Sequence, residues 1–409
     1  MQTRRDVIVL GSTGSVGTQA LEIVAANPER FRVVGLAAGG GNPELLAQQV
    51  VAAGVPAVAV ARTSAVQDLQ LALYAEAQRR GWSSGEYALP RILAGPDAAA
   101  DLARETCDVV LNAITGSVGL MPTIAALESG TTLALANKES LIIGGPIVTD
   151  LAKPGQIVPV DSEHSAIAQC LRGGRQDEVR RLVLTASGGP FRGRTRAELG
   201  DVTVGQAMEH PNFAMGPVIT INSATLVNKG LEVIEAQLLF DVPIERVDVV
   251  VHPQQAIHSM VEFVDGSTMA QASPPSMAIP IALGMGWPDR VVDAGEACDW
   301  TRPSSWDFFP LDDEAFPAVR LARTAAAHGR TAPAVYNAAN EVCVDAFVAG
   351  EIGFPAIVDT VDSVLREHLG GDRVPSEGAQ LSVEDVLSAD GWARETTTAI
   401  LTGSRGERP

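Results

Sequence analysis

The chain has 409 residues, of which 46% are hydrophobic, 19% are charged and 4% are aromatic, which is typical of a folded globular protein and excludes a disordered one. This length suits two or three domains with a large core, and the scarcity of aromatic residues favours an α/β architecture. The formal net charge of -19 would repel a phosphate backbone, so it argues against nucleic acid as a partner.

The first 150 residues alternate short apolar runs with helical stretches. A helix is predicted at 17–26 and a loop at 81–85, and strands are predicted at 7–10, 31–37, 55–60, 108–113 and 132–136. Short apolar strands separated by helices are typical of a parallel, doubly wound sheet. We therefore predict an N-terminal, Rossmann-like cofactor domain over residues 1–155.

The pattern changes after residue 155. Strand-like runs are predicted at 156–160, 181–185, 247–251 and 259–263, with a helix at 222–239 among them. They indicate a central α+β domain with a mixed sheet over 156–290, followed by a connection over 291–318. Helical patterns at 319–328 and 334–349 begin a C-terminal helical domain over 319–409, whose last seven residues resemble a frayed tail.

Cysteine placement and hydropathy bear on the compartment. Cys107, Cys170, Cys298 and Cys343 lie far apart with no C-x-x-C pair, which argues against a zinc site or a disulfide framework. No signal peptide precedes the first strand, and no apolar run is long enough to span a membrane. We therefore expect a protein of the reducing cytoplasm without a membrane partner.

A glycine-rich turn joins the first predicted strand to the first helix. Residues 11–17 read G-S-T-G-S-V-G, so the backbone can approach a pyrophosphate while the helix N-terminus supplies N–H groups. The spacing is G-x-x-G-x-x-G and not the dinucleotide pattern G-x-G-x-x-G, so a tight turn without a ligand is the alternative. The position between strand and helix favours dinucleotide binding.

The end of the second strand bears on the choice of dinucleotide. Residues 37–42 read A-A-G-G-G-N, with no acidic residue before Glu44, whereas NAD enzymes usually place Asp or Glu there to hold the ribose hydroxyl. An uncharged pocket suits a 2′-phosphate, so NADP is favoured. Arg62, just past the third strand, is a possible phosphate partner, and an arginine that is merely solvated is the alternative.

Two acidic residues follow the strand predicted at 156–160. In an extended segment Asp161 and Glu163 would point the same way, and a cation would offset their mutual repulsion. Oxygen ligands favour Mg²⁺ or Mn²⁺ over zinc. The alternative is a helix cap, with Asp161 or Ser162 at the N-cap.

Three further segments carry polar residues that suit a site. Asn228 and Glu232 are four apart and share a face of the helix predicted at 222–239, although a solvated face is the alternative. Residues 185–191 read T-A-S-G-G-P-F and either turn N–H groups toward an anion or form an ordinary glycine turn. Residues 210–216 read H-P-N-F-A-M-G, which suits a loop that closes over a ligand or an inert surface loop.

These motifs stand in one order along the chain, together with A-N-K-E-S at 136–140 and N-A-A-N-E at 337–341. The set resembles the 1-deoxy-D-xylulose 5-phosphate reductoisomerase family of the non-mevalonate isoprenoid pathway, over nearly the whole chain. The resemblance implies a homodimer that converts 1-deoxy-D-xylulose 5-phosphate, a small phosphorylated sugar, to 2-C-methyl-D-erythritol 4-phosphate. The carbon skeleton would rearrange to an aldehyde, which NADPH then reduces.

The resemblance also implies individual roles. Mg²⁺ or Mn²⁺ would be held by Asp161, Glu163 and Glu232. Substrate would be contacted by Lys138, Ser162, Glu163, Ser187, His210, Ser223, Asn228, Lys229 and Glu232. Catalytic roles would fall to Lys138, Glu163, His210, Lys229 and Glu232, with His210 on the flap that closes the site. NADPH would be contacted by Thr13, Gly14, Ser15, Val16, Gly39, Asn42, Asn137, Glu139 and Gly216.

The chain departs from the family pattern at three places. Phe213 stands where many members carry Trp, residues 275–278 read P-S-M-A in place of P-D-M-R, and Gly40 replaces a basic residue often found beside the NADPH ribose.

Two other functions compete with this interpretation. A semialdehyde reductase would need a catalytic cysteine, and no cysteine stands in a convincing motif. A non-catalytic NADP sensor would need the cofactor domain but no metal site.

Overall fold

A computed structural model of the protein describes residues 3–83, 85–209, 216–371 and 380–403. Contacts divide the chain into two compact units. The first unit comprises Met1–Ser140, Asp150–Ser165 and Ser276–Glu296, and the second comprises Leu141–Thr149, Ala166–Pro275 and Ala297–Pro409. Within the described ranges, no helix combines the length and the apolar character needed to cross a membrane.

Strands and helices are numbered separately in chain order. The strands are β1 (Arg5–Leu10), β2 (Phe31–Ala38), β3 (Ala57–Val60), β4 (Arg91–Ala94), β5 (Val109–Asn112), β6 (Thr132–Leu135), β7 (Ile157–Pro159), β8 (Val179–Ala186), β9 (Val247–Val251), β10 (Ile257–Phe263), β11 (Thr268–Ala272) and β12 (Phe309–Pro310). The first eight helices are α1 (Ser15–Ala26), α2 (Pro43–Ala53), α3 (Val66–Arg79), α4 (Ala98–Ala103), α5 (Leu120–Glu128), α6 (Lys138–Gly144), α7 (Pro146–Leu151) and α8 (Ser162–Cys170). The others are α9 (Val204–Ala207), α10 (Pro217–Ala224), α11 (Val227–Phe240), α12 (Ala278–Gly286), α13 (Ala318–His328), α14 (Ala332–Val348), α15 (Phe354–Gly370) and α16 (Val383–Gly403).

The first unit is built on a seven-stranded sheet with the order β4-β3-β2-β1-β5-β6-β7. Every neighbouring pair in this sheet is parallel, which confirms the predicted doubly wound, Rossmann-like architecture. The strand order reverses between β1 and β5, and ligands of such sheets bind at the carboxyl ends of the strands beside this point. The cofactor turn predicted at 11–17 follows β1, so it lies at the expected place.

The inner strands of the first unit's sheet are buried because they are apolar on both faces, whereas the edge strand β4 is partly exposed. Val7, Leu36, Val58 and Leu111 are almost inaccessible to solvent and belong to one hydrophobic cluster. Ile281 of α12 belongs to the same cluster, although α12 is distant in sequence.

Two elements differ from the sequence-based prediction. The strand predicted at 156–160 is β7, but it pairs with β6 (Leu133 opposite Ile157) in the first sheet and not in a second, mixed one. The helix predicted at 222–239 is interrupted between α10 and α11, where Leu226 adopts a left-handed conformation with φ 60°. Apolar residues continue across this corner, so periodicity alone does not reveal it.

The second unit contains a mixed five-stranded sheet with the order β11-β10-β8-β9-β12. β8 and β9 are parallel, and the other pairs are antiparallel, as predicted for an α+β region. Helices α13 to α16 form the helical C-terminal part, which confirms the predicted fold class. The functional limits predicted at residues 155, 290 and 318 stay a prediction.

Helix α11 packs closely against the C-terminal helices at Gly230. A β-carbon added there would lie 2.7 Å from the Tyr336 hydroxyl of α14 and 2.9 Å from the Ala322 β-carbon of α13. Only a glycine therefore permits this approach, which fixes the helical turn that carries the residues predicted at 228–232.

Candidate active site

The glycine-rich turn of the first unit packs as its spacing requires. Gly11 has φ +80°, and a β-carbon added to Gly17 would lie 2.3 Å from the Gly11 carbonyl oxygen. Gly14 is the N-cap of α1 and provides no side-chain cap, so the first-turn N–H groups of α1 are available to an anion. This arrangement fits a dinucleotide pyrophosphate.

Gln49 holds this turn, a role that the sequence analysis missed. Its side-chain amide, on α2, donates a hydrogen bond of 2.8 Å to the carbonyl oxygen of Ser12. The Ser12 hydroxyl is buried and has no hydrogen-bond partner among the described residues. The available signal was a glutamine between Leu46 and Val50 on the buried face of α2.

The carboxyl ends of β5 and β6 contribute polar residues at the same edge of the sheet. Asn137 is buried, and its side chain donates to Glu139 at 2.8 Å and to the Gly116 carbonyl at 3.1 Å. Its backbone N–H donates to the carbonyl of Asn112, which connects the two strand ends. Asn137 and Glu139, both predicted to contact NADPH, thus form one rigid cluster.

Asp161, Glu163 and Lys138 form an ionic cluster in the first unit. A carboxylate oxygen of Asp161 lies within 4.8 Å of one of Glu163, and the Lys138 ammonium forms an ion pair with Asp161. Ser162 donates a 2.6 Å hydrogen bond to Glu163. Glu163 lies in the first turn of α8, so the assumption of an extended segment was wrong, although the two carboxylates do come close.

The charges of this cluster suit a divalent cation. Glu163 is 8% exposed, so water screens its charge poorly. At an effective dielectric constant of about 20, two carboxylates at this separation repel by about 3 kcal/mol. Lys138 offsets one of the two negative charges. The other negative charge remains, and both carboxylates offer oxygen atoms, which are the ligands that Mg²⁺ and Mn²⁺ prefer.

A second polar cluster lies on α11 in the second unit. Asn228 donates a 2.5 Å hydrogen bond to Glu232, and the Lys229 ammonium forms an ion pair with the same carboxylate. The four-residue spacing therefore does place Asn228 and Glu232 on one face. Glu232 is 1% exposed and Lys229 is 4% exposed, which excludes the alternative of a solvated face. Such burial of charge is costly and is typical of a functional site.

Two serines predicted to contact the substrate lie in the same part of the second unit. Ser187 follows β8 and precedes Gly188 and Gly189, which both adopt left-handed conformations with φ +83° and +66°. A β-carbon added to Gly189 would lie 3.1 Å from the carbonyl oxygen of Ser223. The glycine turn thus packs directly against the end of α10, where Ser223 lies.

Asn340 supports this arrangement and was also missed as an individual residue. Its side-chain amide, buried on α14, donates a 2.9 Å hydrogen bond to Asn222, the neighbour of Ser223. The motif N-A-A-N-E at 337–341 contributed to the family resemblance, but it did not predict a role for Asn340. The structure shows that Asn340 fixes the end of α10 from the C-terminal helices.

Lysine is rare in this chain and is concentrated at the candidate site. It stands at only three positions, 138, 153 and 229. Of these three lysines, Lys153 is the exposed one. Lys138 and Lys229 each pair with a predicted metal-binding carboxylate. In a protein that otherwise uses arginine, this pattern indicates a need for compact point charges.

One part of the predicted site, His210 with the flap residues up to 215, lies outside the described residues, so the role of His210 stays a prediction. Gly216 is the exposed N-cap of α10. Asn42 accepts a 3.0 Å hydrogen bond from the Leu45 N–H and caps α2, and Gly39 directly follows β2.

Comparisons with known proteins agree on one family. The model for 1-deoxy-D-xylulose 5-phosphate reductoisomerase matches residues 7–145, and models for its C-terminal domains match 157–240 and 272–396. The 1-deoxy-D-xylulose 5-phosphate reductoisomerase of Kitasatospora griseola is 61% identical over 97% of this chain and 100% of its own length.

Solved structures give the same result. The reductoisomerase from Zymomonas mobilis in complex with NADPH is 39% identical, with a TM-score of 0.86 over 97% of this chain and 99% of that chain. A DOX-P reductoisomerase in complex with NADPH, fosmidomycin and magnesium is 32% identical, with a TM-score of 0.88 over 98% of both chains.

Proposed function

Since this chain belongs to the 1-deoxy-D-xylulose 5-phosphate reductoisomerase family, we propose that it converts 1-deoxy-D-xylulose 5-phosphate to 2-C-methyl-D-erythritol 4-phosphate. It is an NADP-dependent oxidoreductase of isoprenoid precursor synthesis that requires NADPH and a divalent metal. The observation that supports this function in the chain's own residues is the buried ion pair of Lys229 and Glu232, with Asn228 hydrogen-bonded to Glu232.

Asp161, Glu163 and Glu232 are proposed as the metal ligands. The close pair of carboxylates in the first unit and the buried Glu232 in the second supply the oxygen-only ligand set that Mg²⁺ and Mn²⁺ require. When bound, the cation supplies Lewis acidity to vicinal substrate oxygens during the rearrangement. Lys138 orients Asp161 and, with Ser162, is proposed to contact the substrate hydroxyls.

Ser187, Ser223, Asn228 and Lys229 are proposed to hold the substrate phosphate. The packing of Gly189 on the end of α10 and the buried Lys229 support a preorganised anion site. His210 is proposed to lie over the substrate in the flap. NADPH supplies the hydride, and its proposed contacts are Thr13, Gly14, Ser15, Val16, Gly39, Asn42, Asn137, Glu139 and Gly216.

Three of the four cysteines are unsuited to the catalytic role that a semialdehyde reductase requires. Burial raises the pKa of Cys107 to about 12, that of Cys170 to about 11 and that of Cys343 to about 12. These thiols stay protonated at neutral pH and are poor nucleophiles. A non-catalytic NADP sensor, in turn, leaves the buried Lys229 and Glu232 without a purpose.

The function is tested with purified protein, NADPH, Mn²⁺ and fresh 1-deoxy-D-xylulose 5-phosphate. We expect the nicotinamide absorbance to fall only when all three components are present. We also expect inhibition by fosmidomycin, a phosphonate hydroxamate that offers an anion and a metal chelator in one molecule. A protein that binds NADPH but does not oxidise it under these conditions would be a sensor and not an enzyme.

We further propose a homodimer in the cytoplasm, on the family resemblance and on four cysteines that are all free. Light scattering should give twice the chain mass of 42.7 kDa.

A further inference from the structure

Arg62 lies beside the loop that follows β2. β2 and β3 are parallel neighbours, with Ala38 opposite Val60, and the Ala61 N–H donates a 3.1 Å hydrogen bond to the Ala38 carbonyl. The residues after β3 therefore lie next to the residues after β2. This is the strand end at which dinucleotide-binding sheets receive the adenosine ribose.

The Arg62 side chain follows the backbone of two glycines in this loop. A β-carbon added to Gly41 would lie 3.3 Å from Arg62 Nη2, and one added to Gly40 would lie 3.8 Å from Arg62 Nε. The guanidinium is thus within contact distance of the loop, not extended away from it. Arg62 is nevertheless exposed, so a ligand can reach it.

Position 40 itself cannot carry a basic side chain in this structure. Gly40 has φ +87°, and a β-carbon there would lie 2.8 Å from the β-carbon of Ala65. A side chain is therefore disfavoured both by backbone strain and by overlap. The loop after β2 thus offers no basic side chain at position 40, and Arg62 supplies positive charge beside it from the loop after β3.

In the part of the chain that the structure describes, the Arg62 guanidinium makes no ion pair and no hydrogen bond. Residues 37–42 contain no acidic residue that would attract Arg62 or repel an anion. A lone guanidinium over a glycine loop presents its planar donors to a phosphate, and in a chain of net charge -19 such a local positive site is needed to hold an anion.

We propose that Arg62 recognises the 2′-phosphate of NADPH and sets the preference of this enzyme for NADPH over NADH. The proposal rests on the function given above and names a residue that the family motifs do not include. Its effect on binding should be confined to nucleotides that carry the 2′-phosphate, because the contact is with that group alone.

The test measures nucleotide binding without turnover. Calorimetry of the full chain with adenosine 2′,5′-bisphosphate and with 5′-AMP isolates the 2′-phosphate, and nicotinamide fluorescence gives the affinities for NADPH and NADH. Arg62→Gln should weaken the bisphosphate and NADPH by about 10- to 100-fold, the range of a charge-assisted hydrogen bond. The affinities for 5′-AMP and NADH should change by less than about twofold, because those ligands make none of the charge-assisted contacts with Arg62.

Two variants serve as controls. Arg62→Lys should restore part of the affinity for the bisphosphate, because it retains the charge but not the planar fork. Arg80→Gln removes an equal charge at the far end of α3, beyond the screening length, and should leave all four affinities unchanged. In the catalytic assay, Arg62→Gln should raise the KM for NADPH while kcat and the KM for the sugar phosphate stay the same.

The proposal would be overturned if Arg62→Gln bound adenosine 2′,5′-bisphosphate as tightly as the wild type does. It would also be overturned if the affinity for 5′-AMP fell as much as the affinity for the bisphosphate. Both results would leave the proposed function intact if the wild-type protein still oxidises NADPH with the sugar phosphate. Failure of that oxidation in a wild-type protein that binds NADPH more tightly than NADH would count against the function and not against Arg62.

Discussion

Glu232→Gln should lower kcat by about a thousandfold while the chain stays folded. Glutamine keeps the shape of the side chain and can still accept a hydrogen bond from Asn228, so α11 should keep its packing. It lacks the negative charge that a divalent cation requires and that pairs with Lys229. Because Glu232 is 1% exposed, water cannot replace the lost carboxylate.

Steady-state rates at increasing Mn²⁺ concentrations check this expectation, with thermal unfolding measured on the same samples. Added Mn²⁺ should restore little of the rate. Glu245→Gln is the matched control, since it removes an exposed carboxylate of the second unit and should behave as wild type. Activity of Glu232→Gln near the wild-type level would show that Glu232 is not a metal ligand.

Lys229→Met should lower kcat/KM by about 100- to 1000-fold, mainly through the KM for the sugar phosphate. Truncation of one partner in a buried contact to a charged group costs about 2–5 kcal/mol, and the methionine stem retains the packing. Lys229 is 4% exposed, so water should compensate poorly for the loss of its ammonium. Lys153→Met is the natural control, because it removes the one exposed lysine.

Lys229 also pairs with Glu232, so its loss can disturb the metal as well as the phosphate. A double variant, Ser187→Ala with Ser223→Ala, separates the two effects, because neither serine is a proposed metal ligand. This double variant should raise both the KM for the sugar phosphate and the inhibition constant of fosmidomycin by about tenfold, and Mn²⁺ binding should stay unchanged. If Lys229→Met lowered kcat with no change in KM, the ammonium would not belong to the phosphate site.

Local sequence patterns were sufficient to predict five of the seven strands of the parallel sheet and the cofactor turn; β4 was not predicted, and β7 was assigned to the other sheet. The predictions that succeeded depend on residues close in sequence. The five strands are apolar runs four to eight residues long, and the glycines of the turn are spaced so that the chain can pack closely at the start of α1. The shared face of Asn228 and Glu232 likewise follows from helical periodicity and was confirmed.

Features that depend on distant residues were not predictable. Pairing with β6 decides to which sheet β7 belongs. The break at Leu226 falls within a continuous apolar pattern, so the pattern does not reveal it. Gln49 and Asn340 act through single hydrogen bonds to segments 37 and 118 residues away. Nothing in their immediate neighbours distinguishes them from other buried amides, so sequence patterns led to predictions for the candidate site residues but not for the residues that support them.

Mn²⁺ binding, measured by electron paramagnetic resonance, tests most directly whether Asp161 and Glu232 share one ion. We expect one tightly bound Mn²⁺ per wild-type chain. Asp161→Asn and Glu232→Gln should each weaken it by about 100-fold or more, and the double variant should bind little more weakly than either single variant, because the effects of residues that act as a unit are not additive. Wild-type affinity in Glu232→Gln together with lost binding in Asp161→Asn would show instead that the ion is held by the first unit alone.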